Sequence, residues 1–130
     1  MKVSLQRQND RFHFEATNQQ NVNVQIDGAP DIGGADLGAR PMELVLMGLG
    51  GCSSIDIGLI LGKQKLTIDD FKIDIAAQRQ KDKVPALFES IHMTIHLDGD
   101  IPVEKARRAV DLSVTKYCSV AKILEQTASI

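Results

Sequence analysis

The stretch from Pro41 to Lys63 limits the possible folds more than any other part of the chain. Leu44, Val45, Leu46, Met47, Leu49, Ile55, Ile57, Leu59, Ile60 and Leu61 leave almost no polar side on a helix, and a helix apolar on every side has to be covered on every side. Pro41 suits the first helical position, where its missing N–H would have no partner anyway, and Glu43 lies near the positive end of the helix dipole. A helix is therefore expected to open at Pro41 and end at Gly62 or Lys63. Gly48, Gly50, Gly51 and Gly58 each cost about 1 kcal/mol relative to alanine inside a helix, which predicts close approach of another backbone, expected to be a second helix. The same stretch is nearly long enough to cross a bilayer. A central aspartate, Asp56, costs about 2.5–3.5 kcal/mol on insertion scales, so the expectation is a core helix with no membrane.

Either side of this helix the periodicity is that of strands. Val3 and Leu5, then Phe12 and Phe14, then Val22, Val24 and Ile26 alternate with polar residues, with turn chemistry at Asn9-Asp10 and from Thr17 to Asn21. This predicts a three-stranded antiparallel meander with one wet face. Asp27 to Ala39 is rich in Gly, Pro and Asp, holds little that could pack, and reads as a surface loop. Phe71, Ile73 and Ile75, and later Ile91, Met93, Ile95 and Leu97, predict two further strands joined by the exposed segment Gln78 to Lys83. Pro102 opens another helix with an apolar stripe of Val103, Ala106, Val110, Val114 and Tyr117. Ser119 to Gln126 is a last helical stretch, with or without a break at Cys118. The class is α+β, with antiparallel sheet, a long buried central helix and C-terminal helices.

At 130 residues the chain is expected to form a single domain, and 43% apolar with 25% charged residues excludes disorder. A net charge of −2 and 4% aromatic residues argue against nucleic acid. Residues 1 to 10 lack the apolar run of a secretory signal, so a cytoplasmic location is expected, where thiols stay reduced.

The chemistry-bearing residues centre on two cysteines. Cys52 and Cys118 lie 66 residues apart, too far for a Cys-x-x-Cys motif, so joint chemistry would have to be assembled by the fold. Each alone could be a small core residue. Cys52 lies well inside its helix, so its reactivity would need a positive partner from elsewhere. Asp56 falls one turn after Cys52 on the same helix face, where its charge would disfavour a thiolate unless a cation intervened; a hydrogen bond to a neighbouring backbone is its alternative role. His92 and His96 share a strand face with Thr94 and are expected to face solvent. Lys105, Arg107 and Arg108 read as a wet helix face. No metal-ligand spacing is recognisable, and no cofactor is called for.

The segment Gly38-Ala39-Arg40-Pro41-Met42-Glu43, continuing through Gly50-Gly51-Cys52-Ser53-Ser54-Ile55-Asp56, resembles the first-helix signature of the OsmC/Ohr family of thiol peroxidases. Arg107-Arg108-Ala109-Val110-Asp111-Leu112-Ser113 and Lys116-Tyr117-Cys118-Ser119-Val120 resemble its second. Within the family the YhfA-type branch is the most similar. The resemblance implies an intertwined homodimer with the cysteine pair at the subunit interface. Cys52 would be the peroxidatic thiol that attacks an organic hydroperoxide, and Cys118 the resolving thiol that closes a disulfide, which a dithiol reductant reopens. Glu43 matches the carboxylate that holds a catalytic arginine. The Gly-Gly turn beside that arginine is missing, which leaves Arg11 in the first hairpin as the matching cation, with Arg40 and Arg79 as alternatives.

Overall fold

The structure is a computed structural model that describes every residue from Met1 to Ile130. Its contacts group the chain into two compact units, Met1–Val45 and Leu46–Ile130.

In the first unit, β1 (Val3–Arg7), β2 (Phe14–Asn18) and β3 (Asn23–Ile26) form an antiparallel sheet in that order. Leu5 lies opposite Ala16, and Phe14 opposite Ile26. Phe12 falls outside the strands because the Asn9 side chain accepts from the amides of Arg11 (2.9 Å) and His13 (3.3 Å), which holds this segment in a turn. The loop from Asp27 to Ala39 packs more tightly than its composition suggests. Its ends meet, with the Asp27 amide on the Ala39 carbonyl at 3.2 Å and the Ala39 amide on that of Gln25 at 3.0 Å. Only 1% of Asp27 is exposed. Its carboxylate accepts from the amides of Gly28 (2.7 Å), Ala35 (3.0 Å) and Leu37 (3.1 Å). Gly34 passes so near this chain reversal that a Cβ there would lie 1.8 Å from the Gly28 carbonyl oxygen. A short 3-10 turn, Pro30–Ile32, completes the loop.

The long helix α1 (Pro41–Lys63) begins where the sequence places it. Pro41 is its first residue, and Glu43 accepts from the Arg40 amide at 2.9 Å, which is half of a capping box. In the second unit α1 is not covered all round. Leu49, Ser53, Ile57 and Leu61, spaced by four, are buried, whereas Met47, Ile55 and Leu59 are about 60% exposed. The expected backbone neighbour is also absent within the chain. An added Cβ at Gly48, Gly51, Gly58 or Gly62 would meet nothing within 4 Å, and at Gly50 only the Ile75 side chain, 3.1 Å away. One chain with so few helices supplies packing for one face of α1 only, so the all-round cover expected from the sequence would need a second copy. By length and composition α1 could span a membrane.

Strands β4 (Asp70–Arg79) and β5 (Phe88–Asp98) pair antiparallel, with Phe71 opposite Leu97, Ile73 opposite Ile95 and Ile75 opposite Met93. Phe71, Ile95 and Leu97 of these strands, with Ile101 and Val110, pack on Ile57 and Leu61 of α1 and on Ala109 of α2 (Val103–Leu112). Full burial of Ile57 and of Leu61 contributes about 1.5–3 kcal/mol each. After α2 the chain widens into a π-helical turn, Ser113–Tyr117, closed by the Cys118 amide on the Ser113 carbonyl at 2.8 Å. Cys118 then leaves helical geometry, with φ −67° and ψ 106°, before α3 (Ser119–Leu124). The break at Cys118, open in the sequence, is therefore real. The C-terminal residues return to β5, where the Ile91 amide donates to the Ser129 carbonyl at 2.8 Å.

Candidate functional site

The π-helical turn and the break after it carry Cys118 to α1. The sulfurs of Cys52 and Cys118 and a carboxylate oxygen of Asp56 all lie within 4.8 Å of one another, and both thiols are free. Cys118 is fully buried and Cys52 is half-buried.

Polar groups that the sequence reading did not single out surround the sulfurs. Ser53, on the buried stripe of α1, donates its hydroxyl to the Cys118 sulfur at 3.4 Å. The Ala121 amide donates to the same sulfur, also at 3.4 Å, so a thiol caps α3 where serine or aspartate would be usual. Ser113 donates to the Ser53 carbonyl at 3.4 Å and links the π-helical turn to α1. Serines at positions 53 and 113 inside otherwise apolar helical stripes are the sequence signal for this network, since a buried hydroxyl needs a partner.

Burial and the adjacent Cys118 thiol push the Cys52 thiol above its ordinary value, and the backbone N–H groups of Val120 and Ser119 at the start of α3 pull it part of the way back. None of these influences is a cation. Helix N–H groups do reach Cys52, but they come from α3 and not from its own helix. Asp56 contributes a buried Oδ2 with no hydrogen-bond partner. It also lines a cavity of about 310 Å³ with Leu59, Ile60, Lys63, Leu112 and Tyr117.

The other residues singled out in the sequence have partners of their own. The Glu43 carboxylate is on the Arg40 amide, not on a guanidinium. Arg40 pairs with Asp36 and donates to the Gly38 carbonyl at 3.2 Å. Both Nε and Nη2 of Arg79 donate to the Ala86 carbonyl, at 2.9 and 2.7 Å. Arg11 is exposed and makes a single long side-chain bond, 3.4 Å to the Gly33 carbonyl. His92 and His96 face outward, and His96 meets Asp74 at 3.2 Å.

The family described as OsmC-like protein matches residues 33–130, three-quarters of the chain including both cysteines. This chain belongs to the OsmC-like family. Among OsmC-like relatives, protein YhfA of Escherichia coli strain K12 is 41% identical over 96 residues, 73% of this chain and 71% of that protein. A crystal structure of a protein from Aquifex aeolicus VF5 superimposes with a TM-score of 0.84 at 27% identity, covering 98% of this chain and 89% of that one. An organic hydroperoxide resistance protein OsmC from Legionella pneumophila gives 0.73 at 13% identity, covering 99% and 93%, a likeness of OsmC-like fold alone.

Proposed function

We propose that this protein is a cytoplasmic thiol peroxidase that reduces organic hydroperoxides. The observation that carries the reading is the meeting of Cys52 and Cys118 within 4.8 Å beside the N–H groups that open α3. The Cys52 thiolate attacks the outer oxygen of R–O–O–H. The O–O bond breaks, the alkoxide takes a proton and leaves as alcohol, and sulfur keeps one oxygen as sulfenic acid. The Cys118 thiol then attacks that sulfur, a disulfide forms and water leaves. A dithiol reductant donates two electrons and two protons to restore both thiols. Ser53 orients the Cys118 sulfur for the second step. Some relatives of the same fold are named organic hydroperoxide resistance proteins, which supports the reading.

The proposal includes a homodimer in which a second copy covers Met47, Ile55 and Leu59, the face of α1 that this chain leaves open. The glycines on α1 test it. Gly51→Ala and Gly58→Ala should each stabilise an isolated chain by about 1 kcal/mol, so a loss of stability in chemical denaturation supports close packing by a second copy, and a gain rejects it there.

A second reading has its own observation. The upward push on Cys52 with no cation beside it favours a pocket that binds a small apolar or thiol-containing molecule and does not turn over. Counting free thiols after adding cumene hydroperoxide separates the two. Rapid loss of two thiols in the wild type, one in Cys118→Ser and none in Cys52→Ser is the peroxidase result. A loss no faster than in unfolded protein leaves only binding.

A further inference from the structure

We propose that Cys52, Asp56 and Cys118 form a binding site for a thiophilic divalent ion of the zinc type. Their three ligand atoms already lie within 4.8 Å of one another. Bond lengths of about 2.3 Å to sulfur and 2.0–2.2 Å to oxygen put the ligands of a tetrahedral zinc about 3.5–3.8 Å apart. The cluster therefore needs to close by about 1.3 Å at most, which side-chain rotation supplies.

The carboxylate is the second observation. Asp56 Oδ2 is buried and unpartnered, and a carboxylate oxygen withdrawn from water without a donor is stabilised by a nearby cation. Cys52 and Asp56 stand at i and i+4 on α1, so the helix itself fixes their separation. Ser53 and the Ala121 amide hold the third ligand from behind, each 3.4 Å from the Cys118 sulfur. Two sulfurs and one oxygen select zinc over magnesium or calcium, which prefer all-oxygen sites. A cavity of about 310 Å³ reaches Asp56 and gives access from the carboxylate side. When the ion enters, both thiols release their protons to solvent and no oxidation state changes.

The sequence reading found no metal spacing because one ligand arrives from the break after α2, far along the chain from the other two. The site does not depend on peroxidase activity, and its test uses no hydroperoxide. Full-length protein, reduced and freed of thiol reductant, is titrated with Co²⁺ and, in competition, Zn²⁺. One ion per chain is expected, with thiolate-to-cobalt charge-transfer absorption and tetrahedral d–d bands that zinc abolishes. Asp56→Asn should keep both thiols and its circular dichroism yet bind at least about tenfold more weakly, and Cys118→Ser should lose most of the charge-transfer intensity. The wild type also reads out directly, through a zinc-dependent rise in Tm. Failure of reduced wild type to take up one cobalt or zinc per chain overturns the proposal, and so does unchanged affinity in a folded Asp56→Asn variant.

Discussion

Asp27 is buried whole and Asp56 buries one carboxylate oxygen, and the surroundings of the two are opposite. Asp27 accepts from three backbone amides within its own loop, and despite the cost of burial these bonds, with help from His13, hold its carboxyl below the usual range. Asp56 keeps a buried oxygen with no donor, next to two thiols. A carboxylate whose hydrogen bonds are complete is explained by the loop it closes. An oxygen left without a partner has room for a donor or cation from outside the chain, and in this chain that aspartate lies beside two thiols.

The largest expected effect concerns the thiol beside the unpartnered carboxylate. Because the Cys52 thiol is pushed above its ordinary value of 9.0, its thiolate fraction near pH 7 is below about 1%. Alkylation of Cys52 by iodoacetamide should then keep rising from pH 7 to 9, by up to about tenfold per pH unit. A rate already on a plateau at pH 7 would mean that a cation reaches Cys52 in solution, and it would restore Arg11 as the residue to replace first.

The next effects set the two carboxylates against each other in stability. Asp27→Ala removes the acceptor of three amides in a closed loop and should lower Tm by about 10 °C. Asp56→Asn replaces a side chain whose buried oxygen has no donor and should leave Tm within about 3 °C of wild type or raise it. Equal losses in the two variants would break the contrast and show that Asp56 has a structural donor in solution.

Much of the fold was readable because it rests on local periodicity. Alternation located β1 to β5, Pro41 marked the start of α1, and Pro102 marked the start of α2. Phe12 was misplaced because a single Asn9 side chain, invisible to periodicity, turns the backbone there. The Asp27 loop was underrated for a similar reason, since glycine-rich composition describes freedom in the unfolded chain and not the closeness of packing that Gly34 permits. The apolar surface of α1 was legible, and with it a need for cover beyond what one small chain provides, but which side chains stay open was not, because composition does not place the neighbours. The two sulfurs could be named in the sequence but not brought together. Their approach depends on the π-helical turn at Ser113–Tyr117, which no residue pattern announces, and the amides of Ser119 and Val120 have no side-chain signature at all.

The smallest effect is in acid. Asp27 titrates below its unfolded value of 3.8, so the stability it adds is fully present above about pH 4 and is lost as pH falls through the lower folded value. The gap in urea midpoint between wild type and Asp27→Asn should therefore be constant from pH 7 down to about 4 and close below it. Asp74 is the control. Its carboxyl is also held low, first by Lys72 at 2.8 Å and then by His96, but this group is half exposed on the face of β4. Salt screens such a pair and leaves backbone bonds within a closed loop almost untouched. Adding salt should erase any acid-dependent difference in Asp74→Asn while preserving that in Asp27→Asn. If both differences vanish together, the loop around Asp27 opens to water in solution, and the contrast between the two carboxylates is lost.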